Sequence, residues 1–539
     1  MKGKKDFKKR DSRNSFKKFD RKKFNNRKFN RFEKEPNTNS LSDLKQGDVF
    51  KGVVKLMRKT VPGPVIFIAS DGLNSVEAVT KESSFKEEDV VELLGEVSER
   101  AEKLQIEIRG MKKVDIDFDK IIDKNSEPEV RDFAIKSKRY SVMKPMFIKI
   151  AKRIRKAILE NQPIIIRHHS DADGITSGLA IEKSCKLFME EVGVNPDYSL
   201  FRSTSKAPFY EITDMLKDIS FTKKIIEGHG QKKPLIVVTD NGSTPGDVFA
   251  FKSLKLLGYE SIVIDHHDPI VLKNKKTAVD DYVSLHLNPY IFGFDSGTCA
   301  AMLCYELGRL IHRDFDEKLY PAVTGISDHC KIPETDEYIK RTGMSKKKLG
   351  EIGISIDFVS YSLRFDSGKG IYEELYKNPE FVELINEKVR KGFETQLQSA
   401  LPYLRTQDID GVVFSYIDLE KYTMRFTFPP PGKLTESIHS EVVKEYGENR
   451  AIITLGHLQD MVIVRATKPI LPVSKMIEKL KKDMPKANID GGGHPCAGAI
   501  RFVSAHLTAV IENIKKQVEE LDYVEEEIDK DEGSEDLKE

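Results

Sequence analysis

Four clusters of aspartate and histidine lie between positions 169 and 328. The first sits in Ile164-Ile165-Ile166-Arg167-His168-His169-Ser170-Asp171-Ala172-Asp173-Gly174, where His169, Asp171 and Asp173 alternate just beyond an apolar run. An extended backbone would point all three side chains to one face, with Gly174 permitting a tight turn into a helix over 175–190. The second is Asp240, directly after Leu235–Thr239; the third is Asp265-His266-His267, directly after an apolar run ending at Ile264; the fourth is Asp328. Singly, each has an ordinary explanation, such as an aspartate capping a helix. Gathered in one crevice, five or more carboxylates would repel one another severely unless cations lay between them. Two divalent ions resolve that conflict. Oxygen-rich donors with some imidazole suit Mn²⁺ or Mg²⁺, and the absence of thiolates argues against structural zinc. Two such ions about 3.5–4 Å apart can activate water and stabilise the leaving oxygen of an in-line phosphoryl displacement. The expected chemistry is phosphodiester hydrolysis.

The elements around these residues must bring them together. Pro163–Arg167, Pro234–Thr239 and Ser261–Ile264 are short, almost wholly apolar runs. Such runs suit strands buried on both faces of a parallel sheet, and in an open α/β sheet ligands bind beyond the strands' carboxyl ends. At least three of the four clusters occupy that position. Pro145 to Glu160 has the spacing of a helix. Upstream, Gly47 to about Val114 reads as five short strands separated by turns, which fits a small β-barrel. Such a barrel could track a single strand of nucleic acid or serve structure alone. The fold class expected is α/β, with a parallel-sheet domain, a smaller α/β domain after it and the barrel before it. The expected organisation is a basic disordered arm (1–40), the barrel (41–115), a catalytic domain (116–335), a helical connector (336–400), a substrate-binding domain (401–520) carrying a glycine-rich turn at Gly491–Gly493, and an acidic disordered tail (521–539).

Composition narrows the setting. Of 539 residues, 39% are hydrophobic, enough for real cores. No run approaches the roughly 20 apolar residues of a membrane helix. Five scattered cysteines without C-x-x-C spacing point away from a disulfide framework and toward a reducing cytoplasm. The net charge of +2 conceals strong asymmetry: Met1–Glu35 carries 16 Lys/Arg against five acids, whereas Glu519–Glu539 carries 12 acids against two lysines. The arm interleaves its cations with Phe7, Phe16, Phe19, Phe24, Phe29 and Phe32. Cations can neutralise phosphates and rings can stack on bases, although a solubilising extension would look similar. For the tail, solubility, competition with nucleic acid and partner docking all remain open.

At the four clusters the chain resembles the DHH/DHHA1 phosphoesterase superfamily, and within it the archaeal RecJ-like exonucleases that carry an N-terminal OB-fold module. Pro163–Gly174, Asp240–Ser243, Asp265–His267 and Asp328 match the DHH motifs in order. Asp490-Gly491-Gly492-Gly493-His494-Pro495 matches the GGGH motif of the DHHA1 domain, departing only in the Cys496-Ala497-Gly498-Ala499 that follows. Ser205–Tyr210 and His229–Gln231 look like features of the archaeal branch.

The resemblance implies that His169, Asp171, Asp173, Asp240, His266 and Asp328 are metal ligands, with Asp240 bridging the two ions. It implies that Asp265 and His267 support that shell or touch the scissile phosphate. Arg465, Gly491, Gly492, Gly493 and His494 would hold substrate, placing the active site in a cleft between two domains. The leading expectation is a single-strand DNA or RNA exonuclease, 5′→3′ by analogy, in replication or repair. Two others stand beside it: hydrolysis of short oligonucleotides, cyclic dinucleotides or 3′-phosphoadenosine-phosphate, and a mainly non-catalytic partnership with the replisome's GINS complex.

Overall fold

The computed structural model describes residues 34–521 except 61–62, 206, 208, 273–275 and 365, and omits the side chains at 225, 227, 229 and 494. The basic arm, apart from its last residues, and the acidic tail from 522 onward lie outside the described residues, as do parts of the 205–210 motif. The chain divides into two compact units, Met1–Gly350 and Glu351–Glu539.

The first unit opens with a barrel of β1 (Val49–Thr60), β2 (Val65–Ser70), β3 (Ser75–Thr80), β4 (Val90–Arg100) and β5 (Lys103–Lys113), closed in the order β1-β2-β3-β5-β4. β1 is long enough to pair antiparallel with both β2 and β4, and a register shift at Leu56/Arg58 bends it between them. The interior is filled by Phe50, Val54, Leu56, Phe67, Ala78, Leu93 and Ile106, all fully buried. The five strands expected from the turn signals are present, in the topology of an OB fold.

Helices α1 (Phe118–Asn125) and α2 (Lys138–Leu159) lead into a sheet of β6 (Ile164–His169), β7 (Leu200–Ser205), β8 (Leu235–Thr239), β9 (Glu260–Ile264) and β10 (Leu285–Leu287). Its order is β10-β9-β8-β6-β7, and every pair is parallel. Ile164–Ile166, Leu235–Val238 and Ile262–Ile264 are at most 1% exposed, as expected of strands covered on both faces. α3 (Ala172–Glu191) follows β6, α4 (Ile212–His229) and α5 (Val248–Leu256) flank β8, and α6 (Ala300–Ile311) and α7 (Leu319–Ser327) come after β10. α4 and α5 pack Met215, Ile219, Phe251 and Leu254 against Ile236, Val238 and Val263. The chain leaves β6 for β7 on one side and returns to β8 on the other, so the sheet has its switch point between β6 and β8.

Helix α3 also meets the barrel. Its C-cap residue Val192 accepts a hydrogen bond from the Ser75 amide at 2.8 Å. Gly193 follows with φ +76°, and a Cβ there would lie 2.3 Å from the Ser75 carbonyl oxygen. Glu88 clamps a second point, bonded at 2.8 Å both by Lys55 of β1 and by Lys232 just before β8.

After α8 (Pro333–Thr342), α9 (Lys346–Ser362), α10 (Ile371–Lys377) and α11 (Pro379–Ala400), the second unit forms a six-stranded sheet. Its strands are β11 (Arg405–Ile409), β12 (Val412–Asp418), β13 (Ala451–His457), β14 (Met461–Ala466), β15 (Asp490–His494) and β16 (Ala497–Arg501), ordered β11-β12-β13-β14-β16-β15. α13 (Val473–Asp483) and α14 (Leu507–Glu519) bury Met476, Leu480 and Ile514 against Phe414, Ile453 and Val464 on one face. α12 (Pro431–Tyr446) covers β12 and β13 on the other through Leu434, Ile438 and Val442.

Three local expectations need correction. α3 begins at Ala172, so His169, Asp171 and Asp173 do not share one extended strand. α2 starts at Lys138, well before Pro145, because Ser137 caps it by accepting from the Tyr140 amide. Gly491–Gly493 is an edge strand rather than a turn. Gly491 and Gly493 have φ of +149° and +141°, and a Cβ on either would lie 2.2–2.3 Å from a carbonyl oxygen of β16. Glycine is required there by the neighbouring strand, not by a reversal of the chain. Among the described residues, no helix is long and apolar enough to cross a membrane.

Candidate metal centre

The carboxyl ends of β6, β8 and β9 converge at the switch point. His169 is the last residue of β6; Asp171 then caps α3, its Oδ1 accepting from the Gly174 amide at 2.9 Å. The close approach of β6 to α3 explains Gly174, where a Cβ would lie 2.4 Å from the His169 carbonyl oxygen. Asp173 is in the first turn of α3, and its two oxygens accept from the Ala300 and Ala301 amides at 2.8 and 2.9 Å. It thereby anchors the start of α6 while facing the cluster.

Asp240 follows β8 with φ +56°, its amide bonded to the Ile264 carbonyl at 2.9 Å. It is 1% exposed, yet neither carboxylate oxygen has a hydrogen-bond partner. Imidazole nitrogens lie close by: His266 Nε2 at 3.3 Å from Oδ1, and His169 Nδ1 at 3.6 Å from Oδ2. A buried carboxylate left this way needs positive charge beside it, from protonated imidazoles or from a metal ion.

The donors around it fall into two sets that share it. His169, Asp171 and Asp240 can bring ligand atoms within 4.8 Å of one another, and so can Asp240, His266 and His267. Each set could hold a metal ion, and Asp240 belongs to both. His267 joins a donor set here, although the sequence assigned it a supporting part. Asp173 and Asp328 flank the second set, with Asp173 Oδ2 3.8 Å from His266 Nε2 and Asp328 Oδ2 3.7 Å from His266 Nδ1. Asp328 caps the end of α7, where no strand signal marked it. Asp171 and Asp328 are partly exposed and open the centre to solvent.

Without an ion, the cluster settles its charge through protons. Burial opposes charge on His169 and His266, but the surrounding carboxylates hold both imidazoles well above their ordinary pKa. Burial, then the Asp240 charge, pushes the Asp173 carboxyl up. Ions would replace those protons.

Asp265 plays a different part. It is fully buried and saturated: Oδ2 accepts from the Ser243 amide at 3.1 Å, and Oδ1 from the His266 amide and His267 Nδ1, both at 2.8 Å. Burial works against its charge, yet His267 above all keeps the carboxyl well below the usual range. Asp265 thus fixes the His267 ring through Nδ1, and Ser296, whose carbonyl accepts from His266 Nδ1 at 2.9 Å, does the same for His266. His168 points elsewhere: it donates from Nδ1 to the His169 carbonyl at 2.6 Å and accepts from Arg202 at Nε2 at 3.1 Å. Burial and Arg202 hold it well below its ordinary pKa, so it is a neutral buttress.

Sequence reasoning missed the chain of groups behind Asp265. Ser243 Oγ lies 2.9 Å from His286 Nε2, and His286 Nδ1 lies 2.7 Å from Asp280 Oδ1. Asn288 donates to Ser243 Oγ at 3.0 Å and to the His267 carbonyl at 2.9 Å. Ser243 is fully buried, so the triad pattern serves to fix the loop rather than to attack substrate. Its only sequence signal was Ser243 within the Asp240–Ser243 motif, since β10, at three residues, leaves no periodic trace.

The remaining site residues gather in the second unit. Strand register puts Thr406, Ser415, Thr454, Arg465, Ala497 and His494 in one row across all six strands. Thr406 and Ser415 hydroxyls lie 3.1 Å apart, and Thr454 meets His439 Nδ1 of α12 at 2.8 Å. Arg465 donates to the carbonyls of Val464 and Gly432 at 2.9 and 3.2 Å, and burial lowers its pKa. Gly491–Gly493 continues toward His494, whose side chain lies outside the described ones.

Comparison with known proteins agrees with this geometry. The DHH family, N-terminal domain, matches residues 163–326. The uncharacterized protein MJ1198 of Methanocaldococcus jannaschii is 34% identical over 540 residues, spanning 89% of this chain and 71% of that one. A solved DHH-domain structure, described as a member of a family of ribosomal proteins, is 35% identical, with TM-score 0.72 over 75% of this chain and 97% of that one. Exonuclease RecJ bound to manganese shows 14% identity and TM-score 0.48 over 70% of this chain and 95% of that one. With its DHH motifs at the ends of three parallel strands and a relative matched along most of its length, the chain belongs to the DHH family of the phosphoesterase superfamily.

Proposed function

We propose that the chain is a two-metal phosphodiesterase that shortens single-stranded DNA or RNA, in the 5′→3′ direction that the RecJ resemblance implies, during replication or repair. The observation that carries this reading is Asp240: a buried carboxylate with both oxygens unpartnered, shared by two donor sets. His169, Asp171 and Asp240 would hold one ion and Asp240, His266 and His267 the other, with Asp173 and Asp328 at hand for the second. When bound, two Mn²⁺ or Mg²⁺ ions would supply an activated water and neutralise charge building on the phosphoryl oxygens. Asp265 and Ser296 keep His267 and His266 turned inward, so the donors are set before substrate arrives. Arg465 and the Gly491–Gly493 amides would hold phosphate or sugar.

An OB-type barrel pinned to the catalytic unit at Val192 and Glu88 favours long strands over dinucleotides. End-labelled DNA and RNA oligonucleotides incubated with Mn²⁺ or Mg²⁺ test the reading, with Asp240→Ala as control. Progressive shortening by the wild type alone is expected, and the label's position gives the polarity. No shortening under either metal sinks the nuclease reading. Efficient hydrolysis of dinucleotides with long strands left intact transfers the activity to the small-substrate branch.

A further inference from the structure

Phe426 lies in the second unit, in the loop between β12 and α12, and no motif draws attention to it. The loop is pinned rather than slack. The buried Gln396 side chain accepts from the Met424 amide at 2.8 Å and donates to Thr427 Oγ1 at 2.7 Å. Phe428 turns inward against Phe358, Tyr361 and Phe393, with ring centroids 5.3–6.0 Å away. Phe426, two residues earlier, turns outward and is 68% exposed.

Two further observations set it apart. Phe426 has φ +60° and Arg364 has φ +56°, left-handed conformations that bulky residues seldom adopt. Strain of this kind persists where the surroundings over-determine it, and it clusters at binding sites. The two strained residues also meet: the Arg364 guanidinium lies 6.0 Å from the Phe426 ring centre, and that of Arg425 lies 5.2 Å away. Arg425 is steadied by Glu420 at 2.7 Å, and Arg364 also lies 6.0 Å from the Tyr361 ring. Beside the ring is a cavity of about 410 Å³, lined in part by Met424, Arg425, Thr427, Leu458, Gln459 and Asp460. That volume suits a small organic group, and the polar lining could meet its edge.

We propose that Phe426, between Arg364 and Arg425, is a stacking platform for one base of a single-stranded nucleic acid, with the base edge or sugar entering the adjoining cavity. The proposal rests on the nucleic-acid reading above. A rigid, exposed ring offers a face to any base, and two guanidinium groups beside it can neutralise the flanking phosphates.

Binding of fluorescein-labelled oligo-dT and oligo-U to the full chain, with metal chelated so that strands stay intact, tests it across a salt series. Phe426→Ala, and Phe426→Asn, which tolerates the left-handed backbone, are expected to weaken binding roughly 5- to 100-fold even when extrapolated to molar salt. Phe426→Trp is expected to bind at least as well as the wild type. Arg364→Gln and Arg425→Gln are expected to lower the salt slope by about 0.7 each. Wild-type affinity in Phe426→Ala at every salt overturns the platform, leaving Phe426 to a protein partner; normal strand digestion in that event leaves the metal-site reading standing. A wild type that binds no single strand overturns both.

Discussion

The two sheets of this protein present polar groups in opposite ways. In the parallel sheet β6, β8 and β9 are apolar along nearly their whole length, and the clustered Asp and His residues, Asp328 apart, sit at or just beyond a carboxyl end. In the six-stranded sheet polar groups lie within the strands, in a row from Thr406 to His494 that takes one from each strand except β16, where Ala497 stands. Strand ends are where loop amides and helix starts are free to steady charge, as they do for Asp171, Asp173 and Asp265. That arrangement can concentrate carboxylates and so attract cations. A mid-strand row has its backbone already paired, so it relies on hydroxyls and one arginine held by carbonyls, a setting suited to an anionic ligand.

The largest expected effect bears on the strand-end half of that contrast. Asp240→Asn should abolish metal-dependent hydrolysis, by about three orders of magnitude or more, because several kcal/mol of charge stabilisation go with the shared ligand. The same substitution should lower the melting temperature of the metal-free chain, since Asp240 helps to hold the His169 and His266 imidazoles in their charged form. Calorimetry in chelator checks this, and a higher melting temperature would show that the two imidazoles do not balance the Asp240 charge when metal is absent.

For the mid-strand row, Arg465→Met should raise KM for strand cleavage about 10- to 100-fold with kcat little changed, the scale of one charge-assisted hydrogen bond. A fall in kcat at constant KM would move Arg465 into the chemical step. Behind the metal centre, His286→Ala should weaken Mn²⁺ binding about tenfold, with partial recovery in His286→Gln; titration calorimetry reads both. Equal Mn²⁺ affinity in all three proteins would make the Ser243 network irrelevant to the ions.

The smallest expected effect is a pH dependence of stability in the second unit. Burial, then the nearby Arg465, lowers the pKa of His439 from 6.5 to about 4. The unfolded chain therefore takes up this proton first as the pH falls, and the His439 contribution to stability should decline from pH 6.5 to about 4 and change no further below that. The loss is on the order of 2 kcal/mol, read by denaturant melts, and should vanish in His439→Gln. A stability that rises over this window would mean that His439 gains a partner on protonation.

The same contrast explains what the amino-acid order disclosed. Strand-end chemistry is written contiguously: an apolar run followed by Asp240, or by Asp265-His266-His267, can be read in one pass. The three apolar strands of the parallel sheet and the barrel were legible for the same reason, through runs and turns. A row across six strands takes one residue from each, so its members stand far apart in sequence and only register unites them. The Ser243–His286–Asp280 chain and the Phe426 platform were hidden likewise, the first by a three-residue strand and the second by a loop without period. The helical start at Ala172 was misjudged because alternation of polar residues looks the same on an extended chain and on the first turn of a helix.

Helix α3 carries a consequence of its own. Its start holds the donors Asp171 and Asp173, and its far end, at Val192, is bonded to the barrel. Twenty residues of helix make a rod of about 30 Å. On the function proposed above, a strand gripped by the barrel near that contact would have to bridge such a distance before its end met the metal centre, about nine nucleotides at the spacing of a stacked strand. The helix would then act as a ruler: digestion should slow once the remaining strand becomes too short to span it, leaving a limit product whose length shifts if α3 is shortened by whole turns.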